Sequence, residues 1–210
     1  MAELSLYYDF SCPWSYLALV RLQDVADRNA TTLQLCPVDV NGVLATENPS
    51  MQASRLAENP AKAAWQRADL ADWARFWGLR IELDETWPRE SALAAAAGLA
   101  AIELGQGIEY SLALFAAAFG NGADISDTVV LTQTATDVGL DSAAFQAALE
   151  QAGDKVAERS EELVRRGGFG TPTVFVDDQM FFGNDRIPLV EWVLGPVSEA
   201  DFVMPGQHDG

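Results

Sequence analysis

A chain of 210 residues in which 49% of the side chains are hydrophobic is long enough to bury its own core, and it fits one domain carrying an elaborated insertion. Its 31 acidic residues against 13 basic ones give a formal charge of -18, which excludes the phosphate-neutralising surface of a nucleic-acid binder and disfavours an anionic membrane. Two cysteines, Cys12 and Cys36, and the single His208 near the end of the chain leave too few ligands for a structural zinc site or a Cys-His nucleophile pair.

The first ten residues, Met1 to Phe10, show no basic region followed by a long apolar stretch, and no run in the chain is long enough to span a bilayer. A cytoplasmic protein with two free thiols is expected. Leu4 to Phe10 alternates as a strand does and runs directly into Ser11-Cys12-Pro13-Trp14-Ser15. Pro13 fits the first turn of a helix, where its missing N–H costs nothing, and the apolar spacing of Tyr16, Leu17, Val20 and Leu22 carries that helix to about Arg28. Thr32 to Val40 then reads as a second strand carrying Cys36. From about Ser50 to Arg166 the chain turns Ala-rich and Leu-rich at helical spacing, broken at Gly78, Pro88, Gly105, Gly120-Asn121-Gly122, Gly139 and Gly153, with Asp127 and Asp141 where helix N-caps belong. After Gly167-Gly168-Phe169-Gly170 the β character returns in Thr171 to Val176, a turn at Asp177-Asp178 and a returning strand at Gln179 to Phe182. Gly183 to Arg186 opens a closing helix over Ile187 to Leu194, with Pro188 near its start. The order is β-α-β, a helical block, then β-β-α. The expected fold is α/β, with residues 1–49 and 167–210 forming one discontinuous domain and residues 50–166 a helical insertion.

No Gly-rich segment matches the P-loop or the dinucleotide fingerprint, so the chemistry rests on Cys12. Its place at a strand-to-helix junction sets the sulfur beside unpaired N–H groups at the positive end of a helix, which favours a thiolate; the alternative is a small buried hydrophobe. Cys36, inside a core strand, reads as packing. Gly170-Thr171-Pro172-Thr173 places a proline at the head of a strand, where it cannot donate to the ladder. A cis Thr171–Pro172 bond would turn the Thr171 backbone outward for an extended ligand; the alternative is an ordinary loop proline.

A strand entering Cys-Pro-x-x at a helix start, with a Thr-Pro-Thr strand far downstream, resembles the thioredoxin-fold oxidoreductases of the disulfide-forming, helically inserted kind. Tyr8 to Tyr16, Asn59-Pro60-Ala61-Lys62, Asp69-Leu70, Trp73-Ala74 and Met180 to Arg186 together resemble the 2-hydroxychromene-2-carboxylate isomerase and kappa-class glutathione transferase family. The resemblance implies a thioredoxin-like fold, glutathione as cofactor, a small-molecule substrate and a homodimer. That family usually has serine before the active-site proline, holding the glutathione sulfur by a hydrogen bond, where this chain has Cys12. Ser15 occupies the place of the resolving cysteine in dithiol relatives, so no Cys-x-x-Cys disulfide can close, and Ser11 offers a hydroxyl beside the thiol. Asn184 and Asp185 match positions that hold the γ-glutamyl end of glutathione, although they also suit a plain helix cap. Lys62 matches a contact to the glycyl carboxylate, the alternative being a solvated lysine, and Trp65 and Asn48 correspond to further contacts. The implied activity is isomerisation of an unsaturated aromatic ketoacid by reversible thiol addition, with Cys12 and Ser15 at the reacting centre. Thiol-disulfide exchange or glutathione transfer through Cys12, and a non-catalytic binding module, are the alternatives.

Overall fold

The structure is a computed structural model that describes residues 2–56, 59–83 and 87–195; His208 lies outside them. Its centre is a four-stranded sheet in the order β2-β1-β3-β4, made of β1 (Leu4–Tyr8), β2 (Leu33–Pro37), β3 (Thr173–Val176) and β4 (Gln179–Phe182). β1 pairs parallel with β2, and the crossover between them is α1 (Pro13–Arg28); β3 returns antiparallel to β1 and β4 antiparallel to β3. All five residues of β1 are buried because both faces of the sheet are covered. Leu4, Leu6 and Tyr8 join the main core with Leu19 and Leu22 of α1, while Tyr7 faces the other way with Cys36 and Phe175.

Between β2 and β3 the chain is helical: α2 (Val40–Glu47), α3 (Pro49–Leu56), α4 (Pro60–Phe76), α5 (Ala92–Glu103), α6 (Gly107–Asn121), α7 (Thr128–Asp137), α8 (Ser142–Glu150) and α9 (Gly153–Arg165). The ends of these helices follow local chemistry. Asp127 and Asp141 cap α7 and α8 as expected, accepting from the N–H groups of Val129 and Ala144. Asn59 caps α4 through the N–H of Lys62. Gly122 stops α6 in the left-handed region at φ 69°, where a side chain would be strained. The closing helix α10 (Ile187–Leu194) follows a 3₁₀ turn over Asn184–Arg186. Among the described residues no helix is long and apolar enough to cross a membrane.

Two strands are shorter than their apolar runs. β1 ends at Tyr8 rather than Phe10, because the Asp9 carbonyl turns to accept from the Cys12 N–H at 3.0 Å and leaves the ladder. Phe10 still packs into the core, against α5 at Gly98, where an added Cβ would come within 2.9 Å of its ring. β2 ends at Pro37 rather than Val40: Asp39 accepts from the N–H of Asn41, and this cap starts α2 ahead of the helical block expected from Ser50. β3 begins at Thr173, and Thr171 and Pro172 form the loop before it.

A candidate thiol site at the start of the first crossover helix

The site is built by the change from strand to helix after β1. Cys12 is the N-cap residue of α1, with φ -101° and ψ 108°, and Pro13 occupies the first turn. Cys12 therefore lies at the positive end of the helix dipole. The turn is closed by backbone bonds, Cys12 N–H to the Asp9 carbonyl and Ser15 N–H to the Cys12 carbonyl, each at 3.0 Å. Ser15 is fully buried and accepts from the Asp9 N–H at 3.3 Å, so its hydroxyl braces the turn from inside. The Cys12 residue is 8% exposed, so it is largely buried.

That loop supplies the second wall. The Thr171–Pro172 peptide is cis, as the sequence suggested, and the Thr171 carbonyl lies 3.5 Å from the Cys12 sulfur as acceptor of its S–H. Thr173 Oγ1 donates to the Gly170 carbonyl at 2.7 Å, and the Gly183 N–H donates to the Pro172 carbonyl at 2.9 Å; these bonds fix the loop on both sides. Thr171 Oγ1 is buried with no hydrogen-bond partner among the described residues, an orphaned polar atom within the loop that faces the thiol.

Cys12, Thr171 and Pro172 are therefore brought together, while the remaining residues singled out from sequence are placed more loosely. Asn184 and Asp185 sit in the 3₁₀ turn packed against α1, and Asp185 is half-exposed, 3.6 Å from Arg186. Lys62 and Trp65 project from α4, which also packs on α1; Trp65 is 64% exposed. The negative charge of Asp185 reaches α4, helping to raise the Asp69 carboxyl, whose main push comes from partial burial. Asn48 faces elsewhere: its Oδ1 accepts from the Met51 N–H and the Ser50 hydroxyl at the start of α3, which occupies its amide locally.

Two residues that sequence reasoning did not single out complete the turn. Asp9 is fully buried, and burial pushes its carboxyl above the usual carboxylate range, opposed by hydrogen bonds from Ser11, Val40 and Ser91. The Ser11 hydroxyl donates to Asp9 at 2.6 Å rather than to the thiol. Trp87, reaching in from the insertion, donates its indole N–H to the Ser11 carbonyl at 2.7 Å. Phe10, Ser11, Trp87 and Phe119, with Glu82 and Arg89, line a recess of only about 10 Å³ beside the turn. The legible signal for Asp9 was an acidic residue directly following a buried strand; for Trp87 there was none. The larger cavity, about 860 Å³, lies between α2, α5 and α9 and includes neither Cys12 nor Thr171.

Comparison with known proteins agrees with this fold. A family model described as the DSBA-like thioredoxin domain matches residues 3–195. The 2-hydroxychromene-2-carboxylate isomerase of Sphingobium xenophagum is 32% identical over 192 residues, covering 90% of this chain and 95% of that protein. The enzyme of the same name from Pseudomonas putida is 26% identical over 199 residues, covering 91% and 94%. A solved structure of a 2-hydroxychromene-2-carboxylate isomerase superposes with a TM-score of 0.78 at 25% identity, covering 91% of this chain and 94% of that one.

Proposed function

The chain belongs to the DSBA-like thioredoxin family, in the branch that holds the 2-hydroxychromene-2-carboxylate isomerases, and from that membership we propose that it is a glutathione-dependent isomerase of an unsaturated aromatic ketoacid. The observation that carries this reading is the Cys12 thiol at the first turn of α1, facing the carbonyl of Thr171. The residues fit glutathione on one independent point: the orphaned Thr171 hydroxyl is a buried polar atom in the loop where an extended peptide would pair. When bound, glutathione supplies the thiol that adds to the conjugated ketoacid and leaves again after bond rotation.

The chain's own residues set the conditions for that chemistry. The positive end of the α1 dipole favours an anionic sulfur beside Cys12. With glutathione bound, the Cys12 S–H turns from the Thr171 carbonyl to donate to that sulfur, the role the family resemblance gives to serine. The backbone of Thr171 and Pro172 positions the peptide, Asn184 and Asp185 hold its γ-glutamyl end with Asp185 paired to the ammonium group, and Lys62 takes the glycyl carboxylate, with Trp65 a further contact. The helical insertion supplies the apolar wall for the substrate ring. We place the enzyme in the cytoplasm as a homodimer.

One observation favours a second reading, thiol-disulfide exchange. Cys12 is a thiol at a helix N-terminus, where a thiolate is favoured, and it would attack a glutathione mixed disulfide with release of the client thiol. Ser15 cannot resolve the product, so a second glutathione would be needed. Calorimetry tests the glutathione site common to both. Wild type is expected to bind glutathione, and Asp185→Ala to weaken binding by roughly 1.5–3 kcal/mol through loss of a charge-assisted contact. Unchanged affinity in the variant would remove Asp185 from the site.

A further inference from the structure

The Asp9 carboxyl, beside the turn that carries Cys12, accepts four hydrogen bonds. Oδ1 accepts from the Ser11 N–H at 2.7 Å and the Ser11 hydroxyl at 2.6 Å. Oδ2 accepts from the Val40 N–H at 2.9 Å and the Ser91 hydroxyl at 2.7 Å. Three parts of the chain meet there: the turn that carries Cys12, the first residue of α2, and the residue before α5 in the insertion.

Two features show that this junction is built for a carboxyl group. Ser91 stands at the N-cap of α5 yet makes no cap bond there; the one bond its hydroxyl makes in this junction is donated to Asp9. The two backbone N–H groups, of Ser11 and Val40, are obligate donors and approach different oxygens. Both ends of the side chain must therefore accept. An asparagine can accept at one end only and would set its own N–H₂ against an N–H at the other. The Asp9 main chain completes the junction, its carbonyl holding the Cys12 N–H and its N–H donating to Ser15.

We propose that Asp9 is a positioning residue for Cys12: its two carboxyl oxygens tie the thiol-bearing turn to α2 and to the insertion, and so set where the sulfur sits and how far it is shielded. The inference is independent of whether the site performs isomerisation or exchange. Its direct readout is the alkylation of Cys12 by iodoacetamide in the folded protein, followed by mass spectrometry of the Cys12 and Cys36 peptides from the same sample. Cys36 serves as an internal reference, because a general loosening of the fold exposes both thiols, whereas loss of positioning affects Cys12 alone.

Asp9→Asn is expected to raise the Cys12 rate at least tenfold with the Cys36 rate unchanged. Ser91→Ala removes one of the four donors, keeps the carboxyl, and is expected to raise the Cys12 rate about threefold. Asp127→Ala, which removes the cap of α7, lowers stability but leaves the Cys12 to Cys36 ratio at the wild-type value. If Asp9→Asn does not fold, Ser91→Ala decides. A ratio within 1.5-fold of wild type in the folded variant that decides, or a parallel rise at both cysteines, overturns the proposal.

Discussion

Cys12 and Cys36 are both buried thiols in one small fold, and they differ in almost everything the backbone provides. Cys36 lies inside β2, paired in register with Tyr7, and packs among Tyr7, Val43, Leu163 and Phe175. Burial pushes its thiol up to about 11, so the neutral form is kept at any ordinary pH. Cys12 sits where the strand has ended and the helix has begun, with the positive end of the α1 dipole on one side and the Thr171 carbonyl on the other. The residue type and the degree of burial are shared; the secondary-structure position separates a packing residue from a chemical one.

The contrast is broken most directly by reactivity. At pH 7 a thiol titrating near 11 is ionised in roughly one molecule in ten thousand, so alkylation of native protein should modify Cys12 at least about a hundredfold faster than Cys36. Equal rates would mean that the start of α1 gives Cys12 no advantage.

The next effect is on stability and is smaller. Cys36→Ser places a hydroxyl in an apolar cluster and should cost about 1–3 kcal/mol in urea unfolding, whereas Cys12→Ser, at a helix N-cap that serine suits, should change stability by less than about 1 kcal/mol. The Cys36 gap also has a defined pH dependence. Its folded value is raised above the ordinary 9.0, so the stability it contributes is present below pH 9 and is lost as pH rises through about 11. The difference between wild type and Cys36→Ser should therefore narrow between pH 9 and 11, and a constant gap would contradict the burial argument.

The same two regions show what the sequence made legible. The strand-turn-helix around Cys12 was readable because Pro13 and the apolar spacing after it are local signals, and the loop at Thr171–Pro172 because a proline cannot serve the ladder. The packing role of Cys36 followed from its place in an apolar run. What stayed hidden depends on partners far along the chain. Asp9 is held by Val40 and Ser91, 31 and 82 residues away, and nothing next to Asp9 announces either bond. Trp87 reaches Ser11 across 76 residues in the same way. The ends of β1 and β2 were overrun because Phe10 and Val38 are apolar core residues outside the strands, in turns fixed by Asp9 and Asp39. The local bonds that Asn48 Oδ1 accepts from Ser50 and Met51 at the start of α3 were equally hidden.

The central claim is that Cys12 supports a bound thiol rather than acting as the nucleophile, and one side-by-side assay tests it. Wild type and Cys12→Ser are compared for glutathione-dependent isomerisation of 2-hydroxychromene-2-carboxylate and for reduction of a glutathione mixed disulfide. The account predicts that the serine variant keeps or exceeds the wild-type isomerase rate, since a hydroxyl is the better hydrogen-bond donor, and that neither protein reduces the disulfide appreciably. A serine variant inactive in isomerisation, beside a wild type that readily reduces the mixed disulfide, would contradict it and assign the chemistry to the Cys12 thiolate itself.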